Sequence, residues 1–454
     1  MISGFDYGTS NCAMGIMQGA DIQLLPLDQG KAFIPSTLYA LDRELISEYV
    51  AKHITQADVQ QGFIQQRAAQ LNRARLARHE HGFSNDETSL FVGNDAISEY
   101  LDWPGEGYFV KSPKSFLGAS GLREQSIHFF EDIVTAMMMG IKQRAEAAAG
   151  EVITHTVIGK PVNFQGLNAE KSNEQALQIL TTAAKRAGFQ AVEFLFEPIA
   201  AGLNFEGSLT SNKTVLVVDV GGGTTDCAMV HMGPDHRNKD DRQLDFIGHS
   251  GERVGGNDLD VQLAGKYLMP LFGMKSQLKN GLLMPTQAFW NAVRTNDVSA
   301  QTVFNESQTG KELEQLYRDT TEPNLLKRFI NMRNEKQNHH VVRSAEQTKI
   351  ALSQSQSCDV DLSYIEESLS TNVSREEFAH AITRPLTKMT ELMSEAIKQA
   401  GCQPDVIYVT GGSAQSPIIR QAITEKLGNI EVLDGDHFGS VVSGLTTWAK
   451  RIFA

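Results

Sequence analysis

The chain has little cysteine, and none of it is spaced for metal binding or redox exchange. Four cysteines lie far apart among 454 residues: Cys12, Cys227, Cys358 and Cys402. Scattered cysteines without a CxxC pair are typical of reduced thiols, so we expect a cytoplasmic protein. HExxH is also absent. The pairs His79/His81 and His339/His340 have no Cys or carboxylate at ligand spacing, which favours solvated surface over metal.

Long hydrophobic runs and basic stretches are missing too. The longest apolar stretch, around IVTAMMMGI, stops well short of a membrane span. The start, MISGFDYG, lacks the basic and apolar regions of a signal peptide. The net charge of −13 makes nucleic acid and anionic membranes poor partners. The length indicates several domain-sized units.

Two glycine-rich turns stand between strand-like runs. Residues 213–230 read KTVLVVDVGGGTTDCAMV, and residues 2–17, ISGFDYGTSNCAMGIM, repeat their plan. Both predict β-hairpins. A third strand-and-glycine junction, VIYVTGGSAQSP, begins at Val406 and precedes a helix-compatible run over 418–427. We interpret the repetition as an internal duplication that gives two similar lobes.

Helical patterns follow these hairpins. Residues 168–189 have apolar residues at helical spacing, and Gly188 is predicted to be the C′ glycine that ends the helix. Ser374 with Glu377 forms a capping box, and Pro385 predicts a kink or a break between two helices. Hairpins followed by helices predict α/β lobes with mixed sheets. The polar segments 43–85 and 265–340 fit neither core and are expected to be attached subdomains.

The turns have the chemistry of phosphate binding. Successive backbone N–H groups in a glycine turn hold anions, and hydroxyls of Thr and Ser add donors. A carboxylate just ahead, Asp6 or Asp219, suits Mg²⁺ held through water. The chain has no GxxxxGK[ST] and no strand-to-helix GxGxxG, so neither a P-loop nor a Rossmann site is expected.

These motifs resemble a known superfamily. GFDYGTSN, VVDVGGGTTD and VTGGSAQSP resemble, in order, the first phosphate, second phosphate and adenosine motifs of the actin/hexokinase/heat-shock-chaperone ATPases. Further segments resemble the DnaK-type chaperone branch, closest to its YegD-like putative chaperones: FIPSTLYA, FVGNDAI, VKSPKSFLG, GKPVNF, FEPIAAGLNF, GERVGGNDLD and RSAEQTKIALS. The resemblance runs from Gly4 to about Gly444.

The resemblance implies an α/β, two-lobed actin-like ATPase fold with duplicated mixed-sheet cores and nucleotide in the cleft. Lobe I would span 1–205, with its core at 1–42 and 91–205 and a subdomain at about 43–90. Lobe II would span 206–454, with its core at 206–264 and 345–454 and a subdomain at about 265–344.

Site roles carry over by motif position. The resemblance implies catalytic roles for Lys114, Glu197, Asp219 and Asp226, and Mg²⁺ at Asp6 and Asp219 through water. It implies contacts to ATP or ADP from Gly8, Thr9, Ser10, Asn11, Gly221, Gly222, Gly223, Thr224, Thr225, Gly255, Gly256, Glu346, Lys349, Ser353, Gly411, Gly412 and Ser413. Pro161 with Glu197 would relay nucleotide state to the surface.

Three features depart from the family pattern. The two arginines that sandwich adenine in the family are here Ile350 and Gln415, and neither offers stacking or cation–π attraction comparable to arginine. An expected acidic residue falls at Phe438, with Asp434 and Asp436 close by. The family's linker, peptide-clamping β-sandwich and lid are not expected, because the sequence stops at TTWAKRIFA.

The expected function is a monomeric, ATP-binding and slowly Mg²⁺-dependent ATP-hydrolysing chaperone-like switch without its own peptide-binding domain. A sugar-type small-molecule kinase and an actin-like filament former remain alternatives. A protein partner or client is possible, whereas nucleic acid and membrane are not expected. Arg67, Arg73, Arg75 and Arg78 predict a basic helical face for an acidic partner, with a plain solvated helix as the alternative.

Overall fold

The structure is a computed structural model. It describes the chain except residues 120–122, 165–168, 238, 240–241 and 436–438, and the side chains of residues 169 and 243.

The strands follow in chain order: β1 (Ile2–Tyr7), β2 (Asn11–Gln18), β3 (Asp21–Leu24), β4 (Ile34–Pro35), β5 (Thr37–Ala40), β6 (Leu90–Val92), β7 (Tyr108–Lys111), β8 (His155–Lys160), β9 (Ala191–Phe196), β10 (Lys213–Val220), β11 (Thr225–Met232), β12 (Phe246–Glu252), β13 (Ser357–Asp361), β14 (Ser370–Ser374), β15 (Val406–Thr410) and β16 (Glu431–Asp434).

The helices are α1 (Leu45–His53), α2 (Ala57–Gln66), α3 (Ala68–His81), α4 (Asn94–Asp102), α5 (Glu124–Ala149), α6 (Ala169–Arg186), α7 (Glu197–Glu206), α8 (Gly256–Leu263), α9 (Gln287–Val293), α10 (Val298–Asn305), α11 (Ser307–Asp319), α12 (Pro323–Asn334), α13 (Asn338–Gln354), α14 (Arg375–Ala381), α15 (Thr383–Ala400), α16 (Pro417–Leu427) and α17 (Ser440–Phe453). In the described part of the chain, no helix is both long and apolar enough to cross a membrane.

Two mixed sheets of the same topology form the centres of the lobes. The first has the order β3-β2-β1-β8-β9, with β4 beside β2, and the second has the order β12-β11-β10-β15-β16. In each, the glycine hairpin is antiparallel, and its first strand pairs in parallel with the next strand inward, β8 or β15. This repetition confirms the predicted duplicated α/β, two-lobed actin-like fold.

Two helices each pack on the central sheet of the other lobe. The last helix, α17, packs on β1 of the first sheet, while α7 packs on β10 of the second. They cross at Gly444, where an added Cβ would overlap the carbonyl of Ala200. The predicted domain boundaries stay a prediction, and α17 shows that a single cut near residue 205 would divide a shared core.

The polar segments form helices packed on the cores. Ile46, Val50 and Phe63 lie in the same buried cluster as the first sheet. Helices α9–α12 likewise bury apolar side chains against the second lobe. The remaining strands of the described residues form a small separate sheet, β6-β5-β7, and the hairpin β13-β14.

Local signals for helix ends are confirmed. Ser374 and Glu377 exchange both hydrogen bonds of a capping box at the start of α14. The chain breaks at Ile382 between α14 and α15, three residues before Pro385. Gly188 has a φ of 95°, as a glycine after a helix end requires.

The basic helical face predicted from Arg67, Arg73, Arg75 and Arg78 is wrong for two of its four residues: Arg73 and Arg75 are exposed, whereas Arg67 and Arg78 are buried. Arg67 is fully buried and pairs with Glu131 at 2.8 Å and with Asp132 at 3.1 Å. Arg78 is also buried and lies 2.7 Å from Glu48. These guanidinium groups fasten the helices to one another and to α5, because a buried charge requires a partner. They are not available to an acidic protein.

The solvated surface predicted at His339 and His340 is wrong as well. The His339 ring lies edge-on to Phe109, with centroids 5.3 Å apart, and its Nδ1 is buried. The His340 ring stacks on Tyr364 at 3.5 Å. Sequence proximity to polar residues did not reveal these aromatic neighbours, which come from distant elements.

Candidate functional site

A cleft of about 220 Å³ opens between the two sheets. Its walls are formed by residues from both lobes: Asp6, Gly8, Thr9, Ser10, Asn11, Phe33, Glu197, Asp219, Gly221, Gly222, Thr224, Glu346, Lys349, Ile350, Gly411, Gly412, Ser413 and Val441. Most of these residues belong to the glycine motifs singled out from the sequence.

The two hairpin turns face each other at close range. A Cβ at Gly222 would overlap the side chain of Ser10, and one at Gly223 would lie 2.5 Å from Thr9 Cγ2. Within the first turn, a Cβ at Gly8 would overlap the carbonyl of Asn11. Any larger residue would separate the turns, so glycine is required for the approach of the two lobes.

The third glycine motif packs against the second hairpin. Gly411 has a φ of 88°, and a Cβ there would lie 2.6 Å from Asp219 Oδ1. Ser413 donates from Oγ to the carbonyl of Gly221 at 3.2 Å. Gly256 donates from its backbone N–H to the same carbonyl at 3.0 Å. The floor of the cleft is therefore built from close backbone contacts.

Lys114 lies buried behind the hairpins, in a 3₁₀ turn over Pro113–Phe116. Its Nζ is 2.5 Å from Glu197 Oε1 and 3.3 Å from the carbonyl of Gly159. Burial lowers the pKa of Lys114, but the charges of Glu197 and Asp6 raise it more, so the ammonium is retained. The side chain thus brings a fixed positive charge to the end of the cleft.

Carboxyl groups surround this lysine. Burial, with repulsion from Glu197, raises the pKa of Asp6 and of Asp226 to about 7. Burial also raises the pKa of Asp219 well above its usual range, with further repulsion from Glu197. Asp226 Oδ1 accepts a hydrogen bond from the N–H of Val162 at 2.6 Å, which joins the second hairpin to the first lobe.

This arrangement fits a hydrated magnesium ion. Asp6, Asp219 and Asp226 lie with Glu197 around a single ammonium, that of Lys114, and a divalent cation would favour the ionised forms of these buried carboxyl groups. Over the described residues, no group of three or more His, Cys, Asp or Glu is arranged to hold a metal directly. Mg²⁺ usually keeps several waters and binds few protein oxygens, so Asp6 and Asp219 suit an ion that they would hold through water.

The opposite end of the cleft is formed by α13. The carboxylate of Glu346 forms an ion pair with Lys111 of the first lobe, at 2.6 Å. Lys349 forms an ion pair with Asp260, at 2.8 Å. Burial raises the pKa of Glu346, but Lys111 and Lys349 lower it more, to about 2. Ile350 lines the cleft and is 59% exposed.

Most predicted site residues line the cleft, and the others lie just behind it. Gly223, Gly255 and Gly256 form the close backbone contacts. Thr225 is buried and donates to the carbonyl of Val254 at 2.7 Å. Ser353 donates from Oγ to the carbonyl of Lys349 at 3.3 Å, one turn back on α13. Their contacts to nucleotide stay predictions.

Some cleft residues had no sequence signal. Phe33 and Val441 line the cleft but stand outside the glycine motifs. Gln415, where the family has an arginine, is exposed. Asp434 pairs with Arg420, whereas Phe438 and Asp436 lie outside the described residues.

Comparison with known proteins identifies the family. The profile described as "Hsp70 protein" matches residues 121–282 and 301–434. A "Chaperone protein dnaK1" from Nostoc sp. is 22% identical over 94% of this chain and 51% of its own length. A "Chaperone protein dnaK" from Cyanidioschyzon merolae is 22% identical over 94% of the chain and 58% of its own length.

A further "Chaperone protein dnaK", from Emiliania huxleyi, is 25% identical over 58% of the chain and 36% of its own length. The chain thus spans about half the length of curated relatives that it matches. The profile covers more than half of the chain, including the second glycine hairpin and the third glycine motif. With its duplicated sheets and its cleft between them, the chain belongs to the Hsp70 family.

Proposed function

We propose that this protein binds ATP with Mg²⁺ in the cleft and hydrolyses it slowly to ADP and phosphate. The observation that carries the proposal is the meeting of two glycine turns, one from each lobe, in front of the buried Lys114. The family relationship supports a chaperone-like ATPase, and the geometry supports the roles of individual residues.

The backbone N–H groups of both turns would bind the phosphates, with hydroxyls of Thr9, Ser10 and Thr224 beside them. Asp6 and Asp219 would hold Mg²⁺ through water, and the ion would neutralise charge on the phosphate oxygens. The ammonium of Lys114 would stabilise the negative charge that spreads over the transferred group. Because this charge grows in the transition state, Lys114 contributes more to rate than to binding.

Slow turnover follows from the partners of the carboxylates. Glu197 is held by Lys114, and Asp226 accepts the N–H of Val162, so neither side chain can turn toward the attacking water without giving up that contact. A bound nucleotide touches both lobes, so ATP and ADP would favour different lobe angles. We therefore propose a nucleotide-dependent conformational switch that a protein client or partner reads, in the manner of the YegD-like chaperones.

Lys114→Ala tests the proposal directly. We expect single-turnover ATP hydrolysis to fall by at least about 100-fold, as on loss of one transition-state donor, while ATP affinity stays within about fivefold. Lys398→Ala, at an exposed position of α15, is the matched control and should hydrolyse ATP at the parental rate. Parental hydrolysis in Lys114→Ala would show that the assignment of this lysine is wrong.

A further inference from the structure

Asn257, the second residue of α8, lies at a junction of three elements that face the cleft. Its backbone N–H donates to the carbonyl of Gly222 at 2.7 Å, which ties α8 to the second glycine turn. Its side chain is buried, with 6% of the residue exposed. A buried amide needs partners for both its oxygen and its nitrogen, and this one finds both in the other lobe.

The amide oxygen of Asn257 accepts from Ser10 Oγ at 3.3 Å, in the first glycine turn. The amide nitrogen donates to Ser112 Oγ at 3.1 Å, just before the turn that carries Lys114. Asn257 therefore contacts the first phosphate turn, the second phosphate turn and the lysine segment. In the described structure its side chain does not line the cleft.

Ser112 is well placed to transmit this contact to Lys114. It has a φ of 57°, an uncommon conformation for a residue other than glycine, and it is almost fully buried. Its N–H donates to the carbonyl of Ser36 at 2.8 Å, and its carbonyl accepts from Ser115 Oγ at 2.7 Å. This conformation is held by contacts on each side, among them the hydrogen bond from Asn257 of the second lobe.

We propose that Asn257 is a positioning residue that holds Lys114 and the first phosphate turn in register with the second turn when the lobes close. The inference rests on the proposed ATPase function for its rate effect, but its effect on local structure stands apart from it. Asn257 acts only through Ser10 and Ser112, so it should affect the transition state more than nucleotide binding.

The test compares Asn257→Leu with the parent. Leucine keeps the size and the backbone bond to Gly222 but loses both side-chain bonds. We expect single-turnover ATP hydrolysis to fall about tenfold, with ADP affinity within about twofold, and amide exchange to quicken at residues 8–12 and 112–115. In the Lys114→Ala background the same change should reduce the rate by a smaller factor than in the parent, because only the effect through Ser10 then remains.

Asn291→Leu is the matched control. Asn291 is equally buried, and its amide oxygen accepts from Gln287 within the second lobe, so this variant should change neither readout. The inference would be overturned if Asn257→Leu hydrolysed ATP and exchanged its amide protons at the parental rates. It would also be overturned if Asn257→Leu reduced the rate by the same factor in the parent and in the Lys114→Ala background. If the parent itself hydrolyses no ATP, the proposed function fails, and the exchange at residues 8–12 and 112–115 alone decides the role of Asn257.

Discussion

The end of the cleft that is proposed to bind adenine differs at single positions from the family pattern. Ile350 lines the cleft, and Gln415, within the third glycine motif, is exposed. Isoleucine can cover a base but cannot supply the charge and planar face with which arginine attracts an aromatic ring. The free energy of binding should therefore depend more on the phosphates than on the base.

Restoring the arginines tests this view of selectivity. In the double variant Ile350→Arg/Gln415→Arg, we expect ATP to bind about 5- to 30-fold more tightly, at roughly 0.5–1 kcal/mol for each exposed cation–π contact. GTP should gain less. Competition titrations with both nucleotides would measure the ratio, and an unchanged ATP-to-GTP preference would contradict the expectation.

His339 gives the folding stability a defined pH dependence. Burial, with the nearby charge of Lys111, lowers the pKa of His339 to about 3. In the unfolded chain His339 binds a proton near pH 6.5, whereas in the folded protein it does so only near pH 3. The folding stability is therefore fully present above pH 6.5 and is lost as the pH falls toward 3. Tyr100 and Phe109 pack against the ring and do not carry charge near neutral pH.

His339→Phe should remove this dependence. Between pH 7 and pH 5 the parent should lose about 1–2 kcal/mol relative to the variant, as measured by urea unfolding. His79→Phe, at an exposed position of α3, is the control and should follow the parent. Equal losses in the parent and in His339→Phe would show that His339 is protonated freely in the folded state.

At the scale of elements, helical patterns were readable but their orientation was not. The sequence located the helices at 43–85, yet Arg67 and Arg78 face the core because their acidic partners come from α5 and α1. Such pairing joins residues far apart in the chain, so periodicity alone cannot reveal it. The capping box at Ser374 was predictable because both partners lie within one turn.

Arg67→Ala tests how strongly this buried pair holds α2 and α3 to α5. Removal of the guanidinium leaves Asp132 buried without its main partner, and we expect a loss of about 3–5 kcal/mol in unfolding free energy. Arg75→Ala, on the exposed side of α3, should change stability by less than about 0.5 kcal/mol. Similar unfolding curves for both variants would contradict the assignment.

At the scale of the whole molecule, the glycine motifs predicted the cleft because each consists of adjacent residues with one local purpose. The duplication was visible for the same reason, since both hairpins repeat one plan. The exchange of α7 and α17 between lobes, the cleft wall at Phe33 and the junction at Asn257 all depend on contacts between distant segments. No local pattern encodes them, and the fold was needed to place them.

The central claim is that one magnesium nucleotide binds between the lobes through these turns. Isothermal titration of the parent with ATP, with and without Mg²⁺, measures it most directly. We predict one site per chain and weaker binding when Mg²⁺ is removed, because the ion would favour the ionised forms of Asp6 and Asp219 and would neutralise charge on the phosphate oxygens. An absence of ATP binding up to millimolar concentrations, or equal affinity with and without Mg²⁺, would contradict the account.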